Sequence, residues 1–312
     1  MTTPWRIATR RSALARAQAQ QVADALATVT GRPAELVPMA TTGDEHPDRA
    51  IEAFDAKGLF VDRTREAVLA GDCDLVVHSY KDVPTEPAPG LVIGAVPRRV
   101  DPRDALVTRD GHRLATLPRN RPVTVGTSSQ RRRAQLMKAR RDLLIQPLRG
   151  NLETRLRRVA DGDLDAVVVA LAGLLRLGPA LEGVAVVPLE HGECLHAAAQ
   201  GALALECRED DRTTLDALAL LDHRETKLCV TAERWLLTAL GGGCTAPIGA
   251  HGHLVAGPDG QQRLELLGML SDPTGTRLER ASHQAAVTEP ERLGTTLAAT
   301  LREATGLDLD RA

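Results

Sequence analysis

Short apolar runs alternate with stretches of helical periodicity over the first third of the chain. Residues 6–10 form a run typical of a strand, and Ser12, which follows, belongs to a residue type that caps helices. The helix so predicted has an apolar face that consists of Leu14, Ala17, Val22, Leu26 and Val29. The same criteria predict strands at 35–39, 74–79 and 91–97 and a helix at about 60–70. This alternation predicts an α/β unit.

A second unit repeats the scheme between residues 104 and 171. The predicted strands are 104–107, 123–125, 144–148 and 166–171, and the predicted helices lie near 129–141 and 151–161. In both units a strand runs into a turn with hydroxyl groups and then into a helix, at residues 8–12 and 126–129. Because ligands bind at the carboxyl ends of strands in open parallel sheets, we expect the two units to face each other across a cleft.

The last third of the chain has a different pattern. After a strand at 202–206, two helical stretches lead to Leu240, and strands at 262–269 and 277–287 precede a final helix at about 289–304. We therefore expect a small α+β third domain. A length of 312 residues agrees with this, because chains of that size divide into two or three domains.

Composition narrows the classes of function. The net charge is −2, which removes the overall basic character of proteins that bind nucleic acid or anionic membranes. Stacking platforms for single-stranded nucleic acid are nearly absent, because the aromatic side chains are only Trp5, Phe54, Phe60, Tyr80 and Trp235. No stretch approaches the length of a membrane-spanning helix. We expect neither a nucleic acid nor a membrane as partner.

The five cysteines are odd in number and scattered, and no apolar signal segment opens the sequence. We therefore expect free thiols in a reducing cytosol. Cys73, Cys207 and Cys229 lie in or beside predicted elements and are expected to be small core residues. Cys244 differs, because it follows three glycines and precedes Pro247. These glycines either end a helix or let the backbone bring the thiol into a cleft.

Positive charge gathers between residues 128 and 158. This segment holds nine arginines and Lys138 against two acidic residues. Arginines at or just after a strand-to-helix turn add bidentate contacts to the N–H groups and helix dipole that already favour anions. These arginines are Arg131, Arg132, Arg149 and Arg155. A solvated helix face is expected instead for Arg140, Arg141, Arg157 and Arg158. The Gly-Lys-Ser/Thr ending of a nucleotide triphosphate loop is missing, so a pocket for another anion is predicted.

A second candidate site follows the apolar strand at 74–77. Its sequence, His78-Ser-Tyr-Lys-Asp-Val-Pro84, places Ser79, Lys81 and Asp82 at the carboxyl end of that strand. The segment is either a turn with a local Lys–Asp pair or a carboxylate that stabilises positive charge or moves protons. Nearby cations favour the ionised form of a carboxylate, so Asp82 suits cation stabilisation better than acid catalysis.

Histidines stand in two short patterns, His191-Gly-Glu-Cys-Leu-His196 and His251-Gly-His253. Either pattern suggests metal ligands. Neither is joined by a second Cys/His pair at the spacing of a structural zinc site, and alternate histidines on a strand are often surface residues. We therefore expect no metal site.

Eight motifs resemble, in order, those of the hydroxymethylbilane synthase (porphobilinogen deaminase) family and cover nearly the whole chain. They are Arg6-Ile-Ala-Thr-Arg-Arg-Ser-Ala-Leu-Ala, Lys57-Gly-Leu-Phe, His78-Ser-Tyr-Lys-Asp-Val-Pro, Asp101-Pro-Arg-Asp-Ala, Gly126-Thr-Ser-Ser-Gln-Arg-Arg, Leu148-Arg-Gly-Asn-Leu-Glu-Thr-Arg, Leu171-Ala-Gly-Leu-Leu-Arg-Leu-Gly and Gly242-Gly-Cys-Thr-Ala-Pro-Ile-Gly.

The resemblance implies an α/β fold with two periplasmic-binding-protein-like domains that flank a cleft, plus a small α+β C-terminal domain. The implied boundaries are 1–98 with 200–220, then 99–199, then 221–312 with the cofactor cysteine. The implied reaction joins four porphobilinogens, each of which loses ammonia, to give hydroxymethylbilane for tetrapyrrole biosynthesis. Its primer is a covalent dipyrromethane in thioether linkage to a cysteine, and Cys244 matches that position.

The resemblance also implies residue roles. Asp82 matches the catalytic carboxylate, which would stabilise the cationic azafulvene left when ammonia departs. Each pyrrole carries an acetate and a propionate, so basic and hydroxyl side chains become counter-charges. Cofactor binding is implied for Cys244, Ser79, Lys81, Asp82, Thr127, Ser128, Ser129, Arg131 and Arg132, and substrate binding for Arg10, Ser12, Arg149, Arg155, Arg176 and Gln200. The implied protein is a cytoplasmic monomer whose small-molecule partner is porphobilinogen.

Three positions depart from the family pattern. Ala199 replaces a glycine, Gly241 replaces a frequent glutamate, and residues 62–65 replace a Lys-Glu-Leu-like run. These departures bear on rate more than on reaction type. They keep open the alternative of a catalytically impaired, two-lobed anion-binding paralogue. Nucleic-acid binding by the arginines of 131–141 is a third hypothesis, which the net charge and the few aromatic residues oppose.

Overall fold

The computed structural model describes residues 3–40, 62–178, 182–242, 246–258 and 260–309. Contacts divide the chain into two compact units. Unit 1 consists of residues 1–100 with 202–227, and unit 2 consists of residues 101–201 with 228–312. The motif that begins at Lys57 and the predicted cofactor residue Cys244 lie outside the described residues.

The described elements follow the predicted alternation of strands and helices. The strands are β1 (Trp5–Arg10), β2 (Ala34–Met39), β3 (Leu75–Ser79), β4 (Leu91–Ala95), β5 (Asp104–Thr108), β6 (Val123–Gly126), β7 (Leu143–Gln146), β8 (Ala166–Ala170), β9 (Ala185–Pro188), β10 (Leu203–Arg208), β11 (Ile248–Ala256), β12 (Gln262–Ser271) and β13 (Leu278–Ala286). The helices are α1 (Ala13–Thr30), α2 (Asp62–Leu69), α3 (Gln130–Ala139), α4 (Leu152–Ala160), α5 (Leu171–Leu177), α6 (Arg212–Ala219), α7 (Arg224–Ala239) and α8 (Pro290–Thr305).

The sheet of unit 1 is mixed, whereas the sequence predicted parallel strands. Its order is β2-β1-β3-β10-β4, in which β1 is parallel to β2 and β3. Strand β10 is antiparallel to both of its neighbours. The chain reaches β10 after the residues of unit 2 rather than through a βαβ crossover, so the constraint that makes crossover strands parallel does not apply.

Helix α1 begins at the hydroxyl turn after β1, as predicted. The Ser12 hydroxyl accepts a hydrogen bond from the Ala15 N–H at 3.3 Å, and the helix ends at Gly31, whose φ is 67°. Its apolar face packs on the sheet in a core that includes Ile7, Val22, Leu26, Leu75 and Leu205. The cap and the core together fix how the chain leaves the end of β1.

The first sheet of unit 2 is also mixed, in the order β7-β6-β8-β5-β9. Strands β7, β6 and β8 are parallel, and β5 is antiparallel to β8 and β9. Cores cover both faces, one around Leu106 and Leu136 and the other around Val107 and Val167. The carboxyl ends of β6, β7 and β8 therefore meet at one edge of a buried sheet.

A three-stranded antiparallel sheet, β11-β12-β13, completes unit 2 and confirms the predicted α+β region. Helices α7 and α8, with the residue that follows α7, supply its core through Leu236, Leu240, Leu297 and Leu301, which are fully buried. Gly294 lets α8 approach α7, because a Cβ atom there would lie 2.6 Å from the Ala232 carbonyl oxygen. None of the described helices is long and apolar enough to cross a membrane.

Strands β9 and β11 and helix α5 were not predicted. Helix α5 continues the apolar run of β8, and periodicity does not separate a short buried helix from a strand. Strand β11 contains two glycines and two histidines, which weaken its strand signal. Strand β9 has only four residues, all half-buried.

Candidate active site

The polar side chains of unit 1 gather at one sheet edge. Strands β1 and β3 are parallel neighbours, with Ala8 opposite Val76, so both carboxyl ends lie at the same edge. This edge brings together the predicted residues Arg10, Ser12, Ser79, Lys81 and Asp82. The chain turns after β3 into a short 3-10 segment, Tyr80–Asp82, in which the Tyr80 N–H donates to the Ala202 carbonyl at 3.0 Å. Lys81 is half-buried and Asp82 is exposed.

Two of the hydroxyl groups at this edge of unit 1 already form hydrogen bonds within the fold. Ser12 caps α1, and the Ser79 hydroxyl lies 2.9 Å from the Gln18 side-chain amide nitrogen. Gln18 was missed by the sequence reasoning, although a glutamine on the buried face of a helix is a signal that a polar partner is near. The side chains at this edge that carry charge, rather than its hydroxyls, are therefore the stronger candidates for chemistry.

The hydroxyl turn of unit 2 joins β6 to α3. Ser129 caps the helix by accepting from the Arg132 N–H, and the Ser128 hydroxyl is hydrogen-bonded to the backbone N–H and carbonyl of Leu148. Thr127 is buried and Arg149 is exposed. The turn and the segment after β7 are thus held together at the edge where the predicted anion pocket lies.

Arg131 and Arg132 converge on a carboxylate that the sequence reasoning did not single out. Asp104 is fully buried; its two oxygens lie 2.8 Å from Arg131 Nη1 and 2.7 Å from Arg132 Nη2. Arg131 also donates to the Leu195 carbonyl and Arg132 to the Val168 carbonyl. An aspartate at the start of an otherwise apolar strand was the available signal, because a buried carboxylate requires cationic partners.

The pKa values in this cluster depend on two opposing effects, burial of the groups and the charge of their neighbours. Burial alone would raise the pKa of Asp104, but the charges and hydrogen bonds of Arg131 and Arg132 outweigh it and hold that pKa far below its ordinary value. Burial would lower the pKa of Arg131, and Asp104 instead raises it. The buried Gln200 amide donates to Asp104 at 2.8 Å and to the Pro102 carbonyl, so it supports the carboxylate.

The pKa values of Arg155 and Arg176 are lowered, whereas that of Arg131 is raised. Burial, together with the nearby charge of Arg132, lowers the pKa of Arg155, and burial lowers the pKa of Arg176 to about 10. Within the described part of the chain each side chain donates to a backbone carbonyl, Gly150 and Gly201 respectively, and neither forms an ion pair. An anionic ligand would relieve this uncompensated positive charge.

Two buried donor atoms strengthen that conclusion. Arg132 Nε and Arg176 Nε are buried and have no hydrogen-bond acceptor among the residues that the structure describes. Buried N–H donors are nearly always satisfied in proteins. Arg132 therefore has one side held by Asp104 and a further buried donor, Nε, available to a ligand.

The expectation of a solvated face was wrong for Arg140. This side chain is 4 % exposed, pairs with Asp142 at 2.5 Å and donates to the carbonyls of Leu114, Leu117 and Pro118. It closes the loop before β6, a tertiary role that helix periodicity does not reveal. The other three arginines of that group, Arg141, Arg157 and Arg158, are exposed as expected.

The four cysteines that the structure describes are buried, as expected for Cys73, Cys207 and Cys229. Burial raises the pKa of Cys194 to about 12 and that of Cys207 to about 11, and it also raises the pKa of Cys73. Thiols of this kind form little thiolate near neutral pH and are poor nucleophiles.

Comparisons with known proteins agree with one another. A family profile described as "Porphobilinogen deaminase, dipyromethane cofactor binding domain" matches residues 5–216, and "Porphobilinogen deaminase, C-terminal domain" matches residues 227–303. The porphobilinogen deaminase of Nocardia farcinica is 49% identical over 308 residues, which cover 96% of this chain and 86% of that protein. The porphobilinogen deaminase of Sorangium cellulosum is 46% identical over 308 residues, 97% of this chain and 100% of that protein.

Similarity to solved structures is much weaker. An ancestral cationic amino acid solute binding protein covers 70% of this chain and 87% of its own, with 15% identity and a TM-score of 0.41. No conclusion rests on a similarity of that size.

Proposed function

This chain belongs to the porphobilinogen deaminase family, and we propose that Asp82, Cys244 and the arginines of unit 2 carry the family's reaction in it. The chain is a transferase of tetrapyrrole biosynthesis, the route to porphyrins and heme. It joins four porphobilinogens stepwise to hydroxymethylbilane on a dipyrromethane primer, and each porphobilinogen loses ammonia.

The observation that carries the residue assignment is the uncompensated positive charge of unit 2. Every pyrrole of the primer and the substrate has an acetate and a propionate, so each added ring brings two carboxylates. Arg132 and Arg176 have buried Nε donors without an acceptor among the described residues, and Arg155 is half-buried without an acidic partner there. These donors fit carboxylates, because guanidinium groups bind them with charge-assisted hydrogen bonds.

The two adjacent arginines have different proposed roles. Arg132 reaches a pyrrole carboxylate through its remaining donor, while its Nη2 stays on Asp104. Arg131 is a positioning residue, because its Nη1 is held by Asp104 and by the Leu195 carbonyl. Gln200 is proposed to act in the same indirect way, since its amide holds Asp104. The hydroxyls of Thr127, Ser128 and Ser129 shape the turn that carries these side chains.

Asp82 is proposed as the catalytic carboxylate. It is exposed at the end of the 3-10 segment, one residue after Lys81. Positive charge develops on the substrate pyrrole as its carbon–nitrogen bond breaks and ammonia leaves, and an ionised carboxylate stabilises that charge. Arg10, Lys81 and Arg149 are proposed to bind substrate carboxylates.

Cys244 is proposed as the tether of the primer. The other four of the five cysteines are buried, and the pKa values of Cys73, Cys194 and Cys207 are raised by that burial. Cys244 instead stands among glycines, which permit close approach of the backbone to a ligand. When bound, the dipyrromethane supplies the pyrrole carbon to which the first substrate is joined. A tether makes each addition intramolecular in position.

We further propose a cytoplasmic monomer that binds no nucleic acid. The four described cysteines are buried and form no disulfide with one another, which suits a reducing compartment. The net charge of −2 opposes nucleic-acid binding. The monomeric state rests on the family resemblance alone.

The experiment that tests the function measures porphobilinogen consumption and hydroxymethylbilane formation by the purified protein and by Asp82→Asn. We expect turnover by the wild type and near-complete loss in the variant, with the fold retained because Asp82 is exposed. Asp72→Asn, which changes another exposed aspartate of unit 1, is the matched control and keeps activity.

Two outcomes would oppose this proposal. Binding of porphobilinogen without consumption by the wild type would favour the impaired anion-binding paralogue. Undiminished turnover in Asp82→Asn would remove the role of that carboxylate while leaving the reaction itself in place.

A further inference from the structure

Two histidine patterns that are 55 residues apart in the sequence meet in unit 2. His191, His196 and His251 place one potential ligand nitrogen each within 4.8 Å of the others, and His196 is fully buried. The rings of His191 and His251 stack at 3.9 Å between centroids. His196 Nε2 lies 2.9 Å from His251 Nδ1, across those 55 residues. None of these imidazoles has a role in the proposed reaction.

Hydrogen bonding fixes the protonation of the central ring. His196 Nδ1 lies 2.9 Å from the Ala197 carbonyl oxygen, which only accepts, so Nδ1 carries the proton. In the neutral ring the electron pair of Nε2 then faces the cluster and accepts from His251 Nδ1. A second ring nitrogen bonded to a backbone carbonyl is the usual way in which proteins orient a metal-binding histidine.

We propose that His191, His196 and His251 form a binding site for a divalent late transition-metal ion such as Ni²⁺ or Cu²⁺. Imidazole nitrogens are preferred ligands of these ions. The separation of His196 Nε2 and His251 Nδ1, 2.9 Å, is that of a hydrogen bond, so the two nitrogens already lie close enough to bind one ion after a small movement of their rings. Among divalent ions of the first transition row, affinity for such ligands is highest near nickel and copper.

Metal binding requires a tautomer change but no net release of protons. In the hydrogen-bonded pair, neutral His251 donates its Nδ1 proton to His196 Nε2. When the ion binds, His251 carries its proton on Nε2 and offers the Nδ1 electron pair. His191 completes the set by a rotation of its ring, which is half-buried and stacked rather than enclosed.

A fourth imidazole lies behind the first three. His253 stacks with His251 at 5.2 Å between centroids, and its Nε2 lies 3.1 Å from Glu265 Oε2. When Nε2 donates to this carboxylate, Nδ1 of the neutral ring keeps its electron pair, and Nδ1 is buried without a partner in the described part of the chain. Glu265 and His253 therefore restrict the ring of His251 from its outer side.

The site would cross-link the segment before β10 to strand β11. These parts already touch, because the Ala250 N–H donates to the His196 carbonyl at 2.9 Å and Gly249 packs against Leu195. The same segment contains Ala199 and Gln200, whose side chain supports Asp104. A bound ion should thus stabilise unit 2 against unfolding.

The test is titration of the tag-free protein with Ni²⁺ by calorimetry, with bound nickel counted after gel filtration. We expect one ion per chain, a higher unfolding temperature with Ni²⁺, and an absorption spectrum without nickel–thiolate bands. His191→Gln and His251→Gln should each weaken binding at least about tenfold, since loss of even an outer-shell partner costs that much. His112→Gln, a half-buried histidine of unit 2 outside the cluster, is the matched control and should bind as the wild type does.

A second readout does not depend on variants. Ethoxycarbonylation of histidines, mapped by peptide mass, should be slowed by Ni²⁺ at His191 and His251 and unchanged at His112. The proposal is overturned if the wild type binds no nickel stoichiometrically, if His251→Gln and His191→Gln bind it undiminished, or if protection is the same at all three histidines.

Discussion

Asp104 Oδ1 lies 2.7 Å from Arg132 Nη2 in a pair whose carboxylate is completely buried. The same carboxylate holds Arg131, so one negative charge orders two cations and leaves the group with net positive charge. This arrangement explains how arginines can face an anionic ligand on a buried sheet edge. The carboxylate fixes their positions, and the remaining charge stays available for binding.

Asp104→Asn should destabilise the protein by about 3–5 kcal/mol, because removing one partner leaves buried charges uncompensated. The free energy of unfolding from urea titration is the measurement. Glu153→Gln is the control, since Glu153 pairs with Arg157 where both side chains are 61% exposed, and its loss should cost no more than about 0.5 kcal/mol. Equal losses in the free energy of unfolding for the two substitutions would show that the buried Asp104 pairs do not stabilise unit 2 more than an exposed ion pair does.

Arg176→Met should separate binding from stability. Arg176 has no ionic partner in the described chain and its pKa is lowered by burial, so its replacement should change the free energy of unfolding by less than about 1.5 kcal/mol. The KM for porphobilinogen should rise about tenfold or more, as expected for loss of a charged hydrogen bond.

The matched control for this variant is Arg140→Met. Arg140 is equally an arginine of unit 2, but it is paired with Asp142, so its loss should lower stability and leave the KM of the folded enzyme unchanged. An unchanged KM in Arg176→Met would remove that residue from the substrate site.

Asp165 should contribute to acid sensitivity. Burial would raise its pKa, but hydrogen bonds from Arg121 and Thr124 lower it from 3.8 to about 2 in the folded protein. Because the folded pKa lies below the unfolded one, this stabilisation is present above about pH 4 and is lost as the pH falls through 2. Asp165→Asn should therefore be less stable than the wild type at pH 7 and show a smaller loss of stability between pH 4 and 2. Parallel pH profiles of the two proteins would contradict this account.

Ala199→Gly should leave the stability of the protein nearly unchanged, within about 0.5 kcal/mol. Ala199 has a φ of 58°, a left-handed conformation that costs a residue with a side chain about 1–2 kcal/mol. Relief of this strain is offset by the entropy cost of a glycine, about 0.4–1 kcal/mol, and by the loss of a fully buried methyl group, about 0.8 kcal/mol. The measurement is thermal and urea unfolding. Ala17→Gly, within α1, has no such strain to relieve and should destabilise by about 1 kcal/mol. A loss above about 1 kcal/mol in Ala199→Gly would show that relief of strain does not offset the lost methyl group.

Local patterns predicted most of the strands and helices. The Ser12 and Ser129 caps mark the starts of α1 and α3. Periodicity located part of the buried face of α1: Val22 and Leu26 are buried as predicted, whereas Val29, in the last turn beyond the edge of the core, is 44% exposed. The predictions that were wrong or missing concern features that depend on tertiary structure. The direction of β10 depends on its pairing with β3, more than 100 positions earlier in the chain. Helix α5 has no polar face that would reveal a helical period.

The same division holds for the candidate site. The sequence singles out Asp82 and the arginines as candidates because turns after strands have a recognisable chemistry. It did not distinguish Arg131, which is paired with a carboxylate, from Arg155 and Arg176, which are not, and it wrongly assigned Arg140 to a solvated face. That distinction depends on partners remote in the chain. The histidine cluster was missed for the same reason, because β11 brings His251 to His196 only in the folded chain.

The central claim is that Cys244 carries a covalent primer that the arginines bind. Its most direct test is the intact mass of the protein expressed in cells that supply porphobilinogen. The account predicts a mass increase that corresponds to two linked pyrroles, present in the wild type and in Cys229→Ala and absent from Cys244→Ala. A wild-type protein of unmodified mass, or an adduct that persists in Cys244→Ala, would contradict it.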